Sequence, residues 1–305
     1  MSLVKVLLAP SPTSPPQRVN AVKFLEPQSA SSAYLVSAGE DRVVRLWNAQ
    51  RPGAQPLHAF SGHGAEVLDV AIAPGGLKAA SCGLDRAAIV WDVAAGTALM
   101  RLFGHDAKIN ACAFRGVDGA VLATGSDDGT VRMWDCRTLN KAPLQVLPRL
   151  KDAATGMCVD ETTICVTSVD GALSTFDVRS SRITVDKVGA PLGSLALSRD
   201  AKCVLVSVLG QNARLALLER ASGAVLRTFG GHANSAYSLA CAFDHADARV
   251  FSGSEDSVVR GWDLVSGVVV TQIECDGPAL GVAHHPSLAL LAVGTAKGSL
   301  AVHVS

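Results

Sequence analysis

The four tryptophans of this 305-residue chain, Trp47, Trp91, Trp134 and Trp262, are separated by 44, 43 and 128 residues, one phase of a repeat close to 43 residues long. Filling the empty phases places Phe176, Leu218 and His303 in the same slot and divides the chain into seven units. A unit of this length is too short to enclose a core and has to stack on its neighbours. Each unit repeats one local pattern: a strand of small residues, a turn, then alternating apolar residues leading into the slot, as from Val36-Ser37-Ala38-Gly39-Glu40-Asp41 to Trp47-Asn48. Alternation with period two is a strand signal. An aspartate stands six residues before the slot at Asp41, Asp85, Asp128, Asp170 and Asp256, with Asn212 and Lys297 as the two exceptions. An acid or amide follows the slot at Asn48, Asp92, Asp135, Asp177, Glu219 and Asp263, and three units open with Gly62-His63, Gly104-His105 and Gly231-His232.

On these residues the chain resembles the WD40-repeat family of β-propellers over essentially its whole length. That resemblance implies an all-β, seven-bladed ring formed by residues 1–305 as one domain. In that family a His, a Ser or Thr, the turn Asp and the Trp form a hydrogen-bonded set within a blade. Three units here hold all four residues: His63, Ser81, Asp85 and Trp91; His105, Thr124, Asp128 and Trp134; and His232, Ser252, Asp256 and Trp262. A buried imidazole, carboxylate or indole N–H is costly unless partnered, and together these groups can satisfy one another. The expected role is structural, so Trp262→Ala should cost ~3–5 kcal/mol and Asp256→Ala ~1–3 kcal/mol. Unit seven ends at its third strand, and Leu3 to Ala9 reads as the missing outer strand that closes the ring. Blades four, five and seven lack both Gly-His and Trp and are expected to be softer, held by apolar packing.

Charge and cysteine usage narrow the function classes. The 27 basic and 27 acidic residues cancel, so the basic excess needed to bind a phosphate backbone is absent and no base-specific nucleic-acid binding is expected. Apolar runs such as Leu288 to Val293 are far shorter than the ~20 residues that span a bilayer, and Leu3 to Ala9 is broken by Lys5, so neither a membrane span nor a signal peptide is read. The eight cysteines include no Cys-x-x-Cys pair and no Asn-x-Ser/Thr sequon occurs, which points to buried thiols in a cytoplasmic or nuclear protein. No phosphate-cradling Gly-rich loop, nucleophile elbow, His-Glu-x-x-His or calcium loop occurs, so neither enzyme chemistry nor a cofactor is expected. Neighbours on a strand face opposite ways, so His284 and His285 cannot readily share a metal ion.

Shorter stretches are more specific. Ser61-Gly-His-Gly-Ala-Glu-Val-Leu-Asp69, Trp134-Asp-Cys-Arg137, Val188-Gly-Ala-Pro191, Ser198-Arg-Asp200, Gly230-Gly-His-Ala-Asn234 and Ala283-His-His-Pro286 resemble the mitogen-activated protein kinase organizer family, also called WD-repeat-containing protein 83. That resemblance implies a non-enzymatic scaffold, itself monomeric, that gathers kinase-cascade components and also serves as a spliceosomal subunit in pre-mRNA splicing.

A rigid propeller recognises partners through the loops of its rims. Residues just before the turn Asp, or flanking the first strand of a blade, form the top rim: Arg18, Asn20, Glu40, Glu66, Lys108, Asn110, Asp127, Tyr237 and Glu255. Mixed charge with one aromatic suits a polar protein interface better than a phosphopeptide site, which would need clustered arginines. Trp134-Asp-Cys-Arg137 and Phe176-Asp-Val-Arg179 resemble the box by which some WD40 proteins dock onto the adaptor of a cullin ubiquitin ligase. The alternative function is therefore a substrate receptor, with Arg137 and Arg179 docking on the opposite rim. Pro10 to Pro16 reads as an extended spacer in which Ser11 and Ser14 precede prolines, the pattern that proline-directed kinases modify.

Overall fold

The computed structural model describes residues 4–8, 17–26, 33–51, 55–116, 118–138 and 140–305. The proline-rich stretch at 10–16, with Ser11 and Ser14, lies outside the described residues, as does most of the Glu26 to Ala33 segment.

The described residues form twenty-eight strands and no helix, arranged as seven four-stranded antiparallel sheets. Blade one comprises β2 (Val19–Phe24), β3 (Tyr34–Gly39), β4 (Val43–Asn48) and β5 (His58–Ser61). Blade two follows as β6 (Val67–Ile72), β7 (Lys78–Gly83), β8 (Ala87–Asp92) and β9 (Thr97–Phe103). In blade three β10 (Ile109–Arg115), β11 (Val121–Ser126) and β12 (Val131–Asp135) are full strands, whereas β13 (Gln145–Val146) is two residues long. Blade four is β14 (Ala154–Val159), β15 (Thr163–Ser168), β16 (Ala172–Asp177) and β17 (Ile183–Lys187). Blade five is β18 (Leu192–Leu197), β19 (Cys203–Val208), β20 (Arg214–Glu219) and β21 (Val225–Gly230). Blade six is β22 (Cys241–Phe243), β23 (Arg249–Ser252), β24 (Val258–Asp263) and β25 (Val269–Glu274).

Blade seven takes β26 (Ala279–His284), β27 (Leu290–Thr295) and β28 (Leu300–Val304) from the end of the chain and β1 (Val4–Leu8) from its beginning. β1 runs antiparallel to β28 with Val4 opposite His303, so the first and last segments are joined by strand pairing, as the repeat required. The first strands of successive blades neighbour one another in turn and β26 meets β2, so the seven sheets form a closed propeller.

Register shows why one slot recurs. Leu35 pairs with Trp47, Ala79 with Trp91, Leu122 with Trp134, Ile164 with Phe176, Val204 with Leu218, Val250 with Trp262 and Leu291 with His303, always the same rung of the ladder. Six inner strands also slip register once near their start, as between Val67 and Asp69 or Ile109 and Ala111, and such a bulge sharpens the local twist. The exception is β22, which pairs evenly over only three residues.

The apolar core lies in layers between blades. Trp91 of blade two packs with Val36, Val44 and Phe60 of blade one, and Trp134 of blade three with Val90, Met100 and Leu102 of blade two. All eight cysteines are free thiols, but only Cys82, Cys112, Cys165 and Cys241 are fully buried. The other four, Cys136, Cys158, Cys203 and Cys275, are half-buried.

Candidate functional site

In blades two and three the four residues read as a set are bonded in a chain. Trp91 Nε1 donates to Ser81 Oγ at 2.8 Å, His63 Nε2 lies 2.7 Å from the same oxygen, and His63 Nδ1 lies 2.8 Å from Asp85 Oδ2. Blade three repeats this with Trp134, Thr124, His105 and Asp128 at 2.9, 2.8 and 2.8 Å. Burial holds the His105 imidazole below its usual pKa, so the neutral ring donates from Nδ1 to the carboxylate and accepts the Thr124 hydroxyl at Nε2, leaving no buried polar atom unpaired. Burial acts to raise the Asp128 pKa, but hydrogen bonds from Thr130 and His105 outweigh it and hold the carboxyl down at about 2. The same carboxylates take the backbone N–H after each histidine, Gly64 to Asp85 at 2.9 Å and Asp106 to Asp128 at 3.0 Å, and so tie the incoming loop to the turn.

Blade six departs from this reading although it carries all four residues. Trp262 Nε1 donates to the Gly230 carbonyl at 3.2 Å and Ser252 Oγ to the Gly253 carbonyl at 2.9 Å. His232 is only 6% exposed and neither ring nitrogen finds a partner. Arg260, four residues beyond the turn, causes the change by holding Asp256 Oδ2 at 2.7 Å. Blade two has Ile89 at that position. Blade three has Arg132, but Thr130 intervenes, donating to Asp128 at 2.6 Å and accepting from Arg132 Nε at 3.4 Å. Blade six has Val258 in place of Thr130, so nothing intercepts the guanidinium. The backbone N–H of Ala233 turns to Ser254 Oγ at 3.0 Å instead of to the turn Asp. Burial and the Arg260 charge push the His232 pKa down to about 4. A related pair, missed at the sequence level for want of a histidine, is Trp47 Nε1 to Ser37 Oγ at 2.9 Å in blade one.

The top rim is knitted together by the residues singled out for recognition. Arg18 bridges Glu40 at 3.3 Å and Glu66 at 3.2 Å, joining blades one and two. Asn20 donates to Glu66 Oε1 and to the Val67 carbonyl, both at 2.8 Å. Asn110 repeats the arrangement between blades three and four, reaching Asp127 at 2.6 Å and the Ala154 carbonyl at 2.7 Å, while Lys108 pairs with Asp127 at 3.3 Å. Glu255 accepts from the backbone of Ser235, Ala236 and Tyr237 and so fixes the loop that carries Tyr237. Two residues at the same position as Glu40 and Glu255, directly before a turn Asp, were overlooked: Leu84 and Val169, which are 42% and 40% exposed. Their signal lies in the spacing alone, since nothing in their apolar side chains marks them as rim residues.

On the opposite rim Arg137 and Arg179 are both exposed, and Arg137 folds back on Asp135, Nε to Oδ1 at 3.0 Å. His284 and His285 are engaged separately: His284 Nδ1 with the His285 carbonyl at 2.8 Å and Nε2 with Ser305 at 2.9 Å, and His285 Nδ1 with the Leu288 N–H at 3.0 Å. Asp69, Cys82 and Cys112 bring their side-chain atoms within 4.8 Å of one another, the one such group among the described residues. Asp69 accepts the N–H groups of Val70 and Cys112 and so ties blade two to blade three, while burial raises both its pKa and that of Cys82.

Comparisons with known proteins agree with this architecture. The family model described as WD domain, G-beta repeat matches residues 8–48, 54–92, 96–135 and 223–263, the four units that hold a tryptophan. The chain is 35% identical over 270 residues to WD repeat domain-containing protein 83 of Rattus norvegicus, covering 88% of this chain and 83% of that one. The Homo sapiens protein of the same name is 34% identical over the same shares. A WD repeat domain-containing protein 83 homolog from Dictyostelium discoideum is 26% identical over 84% of each chain.

Proposed function

Because the chain belongs to the WD40-repeat family, we propose that it is a rigid, non-enzymatic scaffold that holds protein partners on its rims, acting as an organizer of a MAP-kinase cascade and as a spliceosome-associated subunit in pre-mRNA splicing. The observation that carries the scaffold reading is the top rim, where Arg18, Asn20 and Asn110 bond across to the next blade while Leu84 and Val169 stand out to solvent. Such a rim is held still and presents apolar anchors, the arrangement that lets a partner dock without an ordering cost. Two partners held on one ring meet at effective concentrations of order mM. The signalling and splicing assignments, and residence in cytoplasm and nucleus, draw support from the short motifs shared with the organizer family.

The test is affinity purification of the full chain from nuclear and cytoplasmic fractions beside a Leu84→Asp, Val169→Asp variant, with captured proteins identified by mass spectrometry. Splicing factors from the nucleus, or kinase-cascade proteins from the cytoplasm, that disappear with the variant support the corresponding role. Undiminished capture by the variant overturns the rim assignment. The substrate-receptor alternative rests on exposed Arg137 and Arg179, and Arg137→Glu with Arg179→Glu would abolish recovery of a cullin adaptor if that reading held.

A further inference from the structure

Between blades three and four lies a cavity of about 230 Å³ that opens to solvent. The same space is full in blades two and three. A Cβ added at Gly62 would come within 2.8 Å of the Trp91 ring and of Arg101, and one at Gly104 within 2.8 Å of Arg132 and 3.3 Å of the Trp134 ring. In blade four Phe176 stands for the tryptophan, Leu150 for the histidine, and Ser174 for Ile89 or Arg132. The smaller side chains leave a hollow, and Arg149, in the place of those glycines, stands at its mouth.

The walls are apolar. Leu150, Ala172 and Phe176 line the depth, and Ile183 and Val185 of the outer strand β17 line the side at 39% and 53% exposure. The mouth is cationic, with Arg149, Lys151 and Lys187 against a single acid, Asp170, which Lys187 already holds at 2.6 Å. Arg149 and Lys151 are exposed and pair with no acid among the described residues. Sites for whole small molecules occupy roughly 300–1,000 Å³, so this hollow is sized for one or two side chains.

We propose that the cleft docks an acidic peptide segment with an apolar anchor, a leucine or phenylalanine side chain entering against Phe176 while flanking carboxylates meet Arg149 and Lys151. This rests on the scaffold reading and adds the chemistry of one partner, bound at the side of the ring. Capture through Leu84 and Val169 would survive an empty cleft, so the two readings fail separately.

The experiment titrates the full chain into fluorescein-labelled Gly-Asp-Glu-Leu-Phe-Glu-Asp-Gly and follows polarisation. One control peptide has Ser-Ser for Leu-Phe, and another has lysine for every acid. The acidic apolar peptide should bind about tenfold or more tighter than either control, a difference large enough to separate charge from anchor. Arg149→Glu with Lys151→Glu should weaken it by a similar factor at unchanged Tm, and Ser174→Phe, which fills the hollow, should reduce it to the level of the Ser-Ser peptide. No binding by the wild-type chain, equal affinity for the Ser-Ser control, or full affinity in the charge-reversed variant would overturn the proposal. The surface variant keeps the test decisive should Ser174→Phe fail to fold.

Discussion

Blades two and six carry His, Ser, Asp and Trp at matching positions, yet blade two links them into one chain of hydrogen bonds and blade six leaves its histidine buried without a partner. Two neighbours of the motif make the difference. Arg260 draws Asp256 away where Ile89 leaves Asp85 free, and the loop after His232 bonds to Ser254 instead of to Asp256. Blade three shows the remedy, since Thr130 stands between Arg132 and Asp128. A motif therefore names the members of a network, while a competing cation decides whether the network closes.

The largest way to sharpen this contrast is to remove the aromatic: Trp134→Ala should cost ~3–5 kcal/mol in chemical denaturation, because a fully buried ring and the N–H bond to Thr124 go together. Next comes pH. His232 titrates near 6.5 when unfolded but at about 4 when folded, so between those values the unfolded chain binds the extra proton. Stability contributed by keeping this ring neutral is complete above about pH 6.5 and is lost as pH falls toward 4, by up to about 3 kcal/mol. A His232→Phe variant should flatten that part of the stability curve, and an unchanged slope would break the assignment.

Asp128→Ala should cost ~1–3 kcal/mol, leaving His105 and the Asp106 N–H unpaired. Asp256→Ala should cost less than ~1 kcal/mol, below the value implied by the motif alone, because it loses a half-exposed ion pair. Equal losses at the two sites would mean that blade six closes its network in solution. The smallest effect is Arg260→Ile, which frees Asp256 and should raise the His232 pKa in an NMR titration while changing stability by less than ~1 kcal/mol.

Blade count, strand order, the shared slot and the use of β1 to complete blade seven were all legible from the repeat, because each unit must bury its faces on its neighbours and the ladder register repeats with the spacing. The rim was legible only in part. Asn20, Asn110 and Glu66, expected as recognition residues, also tie neighbouring blades together, which the sequence could not show because a loop residue's neighbours come from the next blade, some 45 residues away. Leu84 and Val169 were visible by position alone, and the cleft beside Phe176 arises from three substitutions that become one hollow only when blades three and four meet.

By itself the sequence determined that this chain closes into a seven-bladed WD40 propeller and where its tryptophans and turn aspartates fall, because periodic burial is a property of spacing. Only the tertiary structure decided which polar groups pair, which rim side chains remain free and where the ring is left unfilled, because those outcomes depend on competition among groups brought together from different blades.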